Sequence, residues 1–266
     1  MKKYLNIGCG NHVAESNEWI NVDFASNNPN VISHNLLNGI PFSENQFDLV
    51  YHSHVLEHFT KIDGMNLINE CYRVLKQGGI IRIAIPNLEE IAKLYLENLN
   101  KCWEEPNNEI HFANYQWTLL EMYDQTVRNK VGGELKKFVK QTNLLNKDYV
   151  LNRIGFEAEH IINSNEKEII KPSLLNSVKA KLRNIIFGNK RSEYIDLGKF
   201  RYSGEIHQWM YDRVSLKNLL EETGFSDFQI VTATASSISN WDEFQLDATN
   251  GITRKPDSLF VEAKKL

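Results

Sequence analysis

The chain is poor in cysteine: Cys9, Cys71 and Cys102 are all it has in 266 residues. An odd count with no C-x-x-C pair sets aside a disulfide scaffold and a cysteine-ligated zinc site, and it suits a reducing compartment. No apolar run approaches the roughly 20 residues of a membrane-spanning helix. Met1-Lys2-Lys3 passes at once into a strand-like segment, so a secretory leader is not expected. A basic excess is missing too: the net charge is −4, which gives a polyanion no general reason to bind. Internal repeats and low-complexity tracts are absent. These absences predict a cytoplasmic protein with no nucleic-acid partner and no stable membrane insertion. One local exception is the basic set Lys179, Lys181, Arg183, Lys190 and Arg191 around the apolar stretch 185–187. It reads either as a solvated helix face or as a contact for acidic lipid or a phosphorylated substrate.

What is present is the composition of an ordinary globular chain, 42% hydrophobic and 24% charged, long enough to bury a core without staples. The first 87 residues alternate short apolar segments with helical patterns, as a parallel sheet with crossovers requires. Strands are predicted at 4–7, 19–24, 31–35, 47–52 and 80–85. Between the last two, Leu67, Ile68, Cys71, Val74 and Leu75 recur at helical spacing, and Gln77-Gly78-Gly79 reads as the helix stop. From 88 to 203 the texture becomes helical, with Pro106, Gly132-Gly133 and Pro172 as breaks. A helix over 215–223 ended by Gly224, then strands at 228–233 and 259–263, resume the sheet pattern. The expected fold is α/β: a Rossmann-like, mostly parallel seven-strand sheet with a large, mainly helical insertion after the strand at 80–85. Residues 1–87 and 204–266 would form the sheet domain, and 88–203 the insertion.

Two glycines, Gly8 and Gly10, follow the first strand directly in Leu5-Asn6-Ile7-Gly8-Cys9-Gly10. Glycine there lets backbone approach a ligand at the carboxyl end of the sheet, where open α/β folds bind cofactors. A dinucleotide fingerprint would want a further glycine at position 13, which is Val13, so a nicotinamide cofactor is disfavoured. The second strand ends in Asn21-Val22-Asp23, and a carboxylate at that point can accept hydrogen bonds from both hydroxyls of a ribose. A turn-forming or capping Asp is the plainer reading of the same residue.

Taken together, the segments LNIGCGN, NVD, PFSENQFDLVYHSHVLEH and RVLKQGGIIRIAIPN resemble the class I methyltransferases that use S-adenosyl-L-methionine (SAM), in particular the methyltransferase type 11 group. The resemblance covers residues 4–87. The segment HQWMYDRVSLKNLLEETGF, His207 to Phe225, is similar to members found among bacterial surface-polysaccharide genes. Carried over position by position, the resemblance implies that Asn6 and the Gly8-Cys9-Gly10 loop pass the methionine part of SAM. Asp23 would hold the ribose with Phe24 beside it in the cofactor site, Asn35 and Leu36 would flank the adenine, and His52, Ser53 and His54 would face the sulfonium and the acceptor. Many relatives have Asp where Asn35 stands; its amide oxygen can still accept from the adenine amino group. Two departures stand out. Only eight residues separate Gly10 from Trp19, too few for a full crossover helix, so the first helix is expected to be truncated or absent. The leading helix that caps SAM in many relatives is not found either, so the insertion is expected to supply the cover.

Methyl transfer from a sulfonium is an in-line displacement at carbon, which asks chiefly for alignment and, for a hydroxyl acceptor, a base. His54, His58 and His207 are the histidine candidates, and His54 and His58, four apart, would share one helical face if a helix begins there. HSHVLEH, with Glu57, invites a metal reading, but the segment matches the family pattern without metal, and none is expected. Tyr123, Asp124 and Arg128 in the insertion would form an acceptor pocket with His207, Trp209 and Tyr211; a plain surface helix is the alternative. The catalytic candidates are therefore His54, His207, Arg128 and Tyr123. Trp103, Tyr115 and Trp117 read as core of the insertion. The leading function is O-methylation of a sugar or glycan intermediate of bacterial surface polysaccharide. The alternatives are methylation of a small anionic group, for which arginine would matter more than histidine, and a noncatalytic SAM-fold binding protein. The acceptor atom, the use of a base and the oligomeric state are not legible in the sequence.

Overall fold

The computed structural model describes residues 2–163 and 189–266. Five parallel strands open the chain: β1 (Tyr4–Ile7), β2 (Trp19–Asp23), β3 (Val31–Ser33), β4 (Phe47–Ser53) and β5 (Leu75–Pro86). Helix α1 (Lys61–Val74) connects the last two. Then come α2 (Leu88–Glu104), α3 (Glu109–Val127), α4 (Gly133–Val139), α5 (Lys147–Ile154), α6 (Phe156–Asn163) and α7 (Asn189–Arg201). The chain returns through α8 (Arg213–Glu222), β6 (Phe225–Val231), the small hairpin β7 (Ala248–Thr249) and β8 (Ile252–Thr253), and β9 (Ser258–Lys265). The sheet order is β3-β2-β1-β4-β5-β9-β6, with β9 antiparallel to both neighbours, so the expected seven strands are all present. Of the basic set, Lys179, Lys181 and Arg183 lie outside the described residues, as does Pro172, while Lys190 and Arg191 open α7. Among the described residues no helix is long and apolar enough to cross a membrane.

The strand order fixes where a ligand can sit. After β1 the chain moves outward to β2 and β3, then returns to the other side of β1 as β4. The crevice at such a reversal opens beyond the carboxyl ends of β1 and β4, the positions of Gly8–Gly10 and Ser53–His54.

One face of the sheet packs Leu5, Ile7, Val22 and Val50 against Leu67, Ile68, Cys71 and Val74 of α1 and Leu216 and Leu220 of α8, all buried. The helical spacing in 67–74 is thus a core stripe. On the opposite face the connection 8–18 holds no helix, as its length predicts. A short 3-10 turn, Trp241–Phe244, takes the place of that helix. Its rings close over Tyr4, Trp19 and Tyr51, with centroids 5.2 Å apart for Trp19–Phe244 and 5.3 Å for Tyr51–Trp241. Edge-on aromatic packing covers the apolar face that a crossover helix would otherwise shield.

Beneath that turn, Arg82 is fully buried and donates to Asp247 (2.7 Å), to Glu262 (2.6 Å) and to the carbonyl of Thr232 (2.8 Å), which ties β5 to the closing strands. The helical segment has a core of its own, in which Trp117 meets Phe138, Val139, Val150 and Ile154.

Four expectations are corrected. The pair Gly78-Gly79 is no helix stop: α1 ends at Val74, β5 begins at once, and the glycines bulge where the register shifts between Phe47 and Leu49. Strand β6 starts at Phe225, three residues early, because Asp227 with φ of 52° bulges the strand before Gln229 and lets pairing begin sooner. Trp103 is 85% exposed and belongs to no core, since the last turn of α2 turns it to solvent. His54 and His58 do not share a helical face, because His54 has a φ of 53° and the 3-10 turn Leu56–His58 follows it.

Candidate functional site

The glycine loop is held by backbone and by two buried amides. The N–H of Gly8 donates to the carbonyl of Val22 at 2.8 Å, and Gly8 itself has a φ of 64°. A Cβ on Gly8 would run into the side chain of Val55, so both the backbone angle and the space require glycine. Asn21 accepts from the N–H of Ala14 (2.9 Å) and donates to its carbonyl (3.1 Å), while Asn6 donates to Asn21 (3.0 Å) and to the carbonyl of His12 (2.9 Å). These amides do for the 8–18 connection what a helix would have done. Asn21 was not singled out from sequence, although a buried polar residue inside a strand is the signal that could have found it.

Asp23 turns toward this loop. Its carboxylate accepts the N–H of Gly10 at 2.7 Å, and Asp23 lines one cavity with Gly8, Phe24, Asn35, Leu36 and His54. That cavity measures 450 Å³, within the range of pockets that take drug-sized ligands. Asn35 caps the 3-10 turn Leu36–Asn38, accepting the N–H of Leu37 at 3.0 Å, so its oxygen is partly engaged. Tyr202, Ser203 and Gly204, past the end of α7, form part of the outer wall.

A second cavity of 540 Å³ lies across the same line and shares Gly8 and His54 with the first. Asn6, Cys9, Gly10 and Ser53 contribute from the predicted set, and His12, Tyr51, Phe156, His160, Arg254 and Lys255 were not anticipated. Lys255 pairs with Glu157 at 3.2 Å, and Arg254 lies 5.5 Å over the ring of Phe156. Burial and the nearby charges of Arg254 and Lys255 push His12 down to about 4, so it is neutral at pH 7. Burial, with Asp23 adding to it, pushes the Cys9 thiol up to about 11, which leaves it unreactive.

His54 stands in the wall between the two cavities. Its Nδ1 is 3.3 Å from a carboxylate oxygen of Glu57, and its Nε2 is 2.8 Å from the hydroxyl of Ser258. With Nδ1 protonated toward Glu57, Nε2 becomes the lone-pair nitrogen and accepts from Ser258.

The remaining candidates are not brought to these cavities. His52 is fully buried with neither ring nitrogen partnered among the described residues, and burial pushes it down to about 4. The alternation along β4 turns it into the sheet rather than toward the crevice. Arg128 donates to the carbonyl of Glu205 (2.5 Å) and pairs with its carboxylate (3.2 Å), while Asp124 accepts the N–H of Glu134 (2.6 Å) at the start of α4. Asp124 thus joins α3 to α4, and Arg128 joins α3 to the stretch that follows α7. Tyr123 is exposed and lines neither cavity, and Tyr211 is buried under α1. Trp209 lies beneath Lys61, 5.5 Å away, on the surface. His207 is buried edge-on to His58 with centroids 4.9 Å apart, and burial pushes it down to about 3 against the opposing charge of Glu57. The predicted acceptor pocket of Tyr123, Asp124, Arg128, His207, Trp209 and Tyr211 is therefore not assembled.

Residues 16–83 match the family model described as a methyltransferase domain. No curated protein matches the chain. Among solved structures, a SAM-dependent methyltransferase from Thermotoga maritima superposes with a TM-score of 0.42 at 11% identity, over 100% of this chain and 83% of its own. A SAM-dependent methyltransferase from Archaeoglobus fulgidus gives 0.39 at 15% identity, over 99% of this chain and 86% of its own. Phosphoethanolamine N-methyltransferase 2 of Haemonchus contortus, solved with SAM, gives 0.38 at 12% identity, over 99% and 48%. The family match, confined to residues 16–83, falls on a Rossmann-like seven-strand sheet.

Proposed function

We propose that the chain is a methyltransferase that binds SAM in the first cavity and methylates an acceptor that enters through the second. In this reading Asp23 accepts from the ribose hydroxyls, Phe24, Asn35 and Leu36 surround the adenine, and the Gly8–Gly10 backbone passes the methionine part. The observation that carries it is the shared wall: Gly8 and His54 line both cavities, so a donor on one side and an acceptor on the other would meet there. The acceptor atom attacks the methyl carbon in line, the carbon–sulfur bond breaks, and sulfur leaves with the electron pair as the thioether. For a hydroxyl acceptor, His54 is the side chain placed to take the released proton, on Nε2 once the acceptor hydroxyl replaces that of Ser258, a contribution of about 10²–10⁴ in rate.

The finer reading is O-methylation of a sugar or glycan intermediate of bacterial surface polysaccharide, in a cytoplasmic setting. It draws on the resemblance of the His207–Phe225 segment, and the rings of Tyr51, Phe156 and Phe260 among polar groups in the second cavity suit a sugar's two faces. A second reading, an acceptor that carries a phosphate or carboxylate, is favoured by Arg254 and Lys255 in the same cavity rather than by Arg128. The test is calorimetry with SAM and its demethylated product, then mass spectrometry of sugar and sugar-phosphate panels for the gain of one methylene. Absence of binding to either nucleoside refutes the enzyme reading. Arg254→Gln should raise KM selectively for anionic acceptors, and equal KM values across the panel refute the anionic reading.

A further inference from the structure

Behind the wall that His54 forms, three more side chains converge. Glu57, His58 and His207 each offer one donor atom, and these atoms all lie within 4.8 Å of one another. Two come from the 3-10 turn after β4, and the third from a segment about 150 residues later in the chain. Backbone bonds hold the two parts together. The N–H groups of Gln208 and Trp209 donate to the carbonyl of Glu57 at 2.7 and 3.2 Å, and that of His207 donates to the carbonyl of Gln125 at 2.9 Å. The donor set is thus positioned by main chain, and it does not depend on the side chains attracting one another.

Two observations point to a ligand. Glu57 is 0% exposed, yet among the described residues its carboxylate meets no donor nearer than His54 Nδ1, which approaches Oε1 at 3.3 Å and leaves the other oxygen unpartnered. An ionised carboxylate removed from water is costly unless a cation or donors compensate it. The ring of His58, in turn, has its Nδ1 3.0 Å from the carbonyl of Ile206. A carbonyl only accepts, so Nδ1 carries the hydrogen and Nε2 presents a lone pair. This is how an outer hydrogen bond orients a metal-binding imidazole.

We propose that Glu57, His58 and His207 hold a divalent transition-metal cation. Two imidazole nitrogens and one carboxylate form a donor set for zinc-class ions, not for magnesium or calcium, which take oxygen ligands. Donors bound at about 2.1 Å to one ion lie up to about 4.2 Å apart, so side-chain shifts of under about 1 Å close the set. His58 also lines the cofactor cavity, so a fourth position on the ion would lie beside the site and could take an acceptor oxygen or water. The assignment stands apart from any choice of acceptor, and it revises the expectation of no metal drawn from the sequence.

The test uses the full chain stripped with a chelator and titrated with Co²⁺, whose visible absorption reports nitrogen-rich, low-coordinate sites, followed by competition with Zn²⁺. One Co²⁺ per chain should bind, with that absorption, and Zn²⁺ should abolish it. Glu57→Gln and His58→Gln should each weaken binding by more than the roughly 10- to 100-fold that loss of an outer-shell partner costs. If Glu57→Gln fails to fold, His58→Gln, at a half-buried position, carries the comparison. Wild-type protein that takes up no Co²⁺ with this absorption overturns the proposal. So does binding of wild-type strength in the folded variants, which would place the ion elsewhere, for instance at His12 and His160.

Discussion

Replacing Asp23 with Ala separates two tasks that its carboxylate is positioned to perform. In the unliganded chain it accepts the N–H of Gly10 at 2.7 Å; in the proposed complex it also accepts from ribose. Hydrogen bonds to a charged group contribute about 1.5–3 kcal/mol each when buried. Asp23 is half-buried and faces the cavity, so each of one or two ribose bonds falls near the low end, about 1–1.5 kcal/mol, and the N–H of Gly10 can turn to water when the carboxylate is gone. The expected cost is about 1–3 kcal/mol in cofactor binding, a roughly 5- to 150-fold rise in Kd, with little change in thermal midpoint. Asp23→Asn keeps one oxygen for Gly10 and loses the charge, so it should fall between wild type and Asp23→Ala. Calorimetry with SAM and with its demethylated product should show equal losses, because the ribose is common to both. Unchanged affinity in Asp23→Ala refutes the ribose assignment. Full affinity in Asp23→Asn would reduce Asp23 to a loop pin, and a loss confined to SAM would put the carboxylate beside the sulfonium.

Three further perturbations test the frame around the site. Gly8→Ala meets both a φ of 64° and the side chain of Val55, and should weaken SAM binding and destabilise the fold by about 1–3 kcal/mol. Adding Val55→Ala relieves the collision but not the backbone angle, so a complete return of affinity would contradict the argument. His52, pushed down to about 4 from 6.5, stays neutral in the folded chain while the unfolded chain protonates first as pH falls. Stability is therefore whole above about pH 6.5 and is lost toward about pH 4, near 1.4 kcal/mol per pH unit and about 3 kcal/mol in all. His52→Leu should flatten that share of the loss in urea titrations at the two ends of this window; an unchanged pH dependence would show that His52 is not the cause. Arg82→Met leaves Asp247 and Glu262 buried without their cation and should cost about 3–5 kcal/mol, read as a fall in thermal midpoint. A change below about 1 kcal/mol would mean that the carboxylates find another partner.

The parts of this chain that were legible in its sequence are those in which one local segment does one local job. Period-two and period-3.6 patterns located the seven strands and α1, because each strand buries its own side chains and α1 buries its own stripe. Gly8, Gly10 and Asp23 could be read together because parallel pairing of β1 with β2 brings the strand ends side by side. The Gly78-Gly79 bulge and the left-handed Asp227 were not legible, since the same dipeptides and residue types serve as helix stops and turns elsewhere.

The expected acceptor residues do not line one cavity for a different reason, which concerns competition for the same side chains. Tyr123, Asp124 and Arg128 form a polar, helix-spaced group that looks functional by itself, but Asp124 and Arg128 join α3 to its neighbours and Tyr123 is exposed. Arg128 is taken by Glu205, and Asp124 caps the start of α4. The cavity that opens beside the glycine loop is lined instead by His12, Phe156, His160, Arg254 and Lys255, drawn from three stretches that share no local pattern. The first of these stretches reaches the crevice because the missing first helix leaves the 8–18 connection flat against the sheet, held there by Asn6 and Asn21. The hairpin side reaches it because the segment around Trp241 folds back over the face which that helix would have covered. The eight-residue gap after Gly10, read at first as a mere shortening, is thus the feature that lets residues from the end of the chain enter the site.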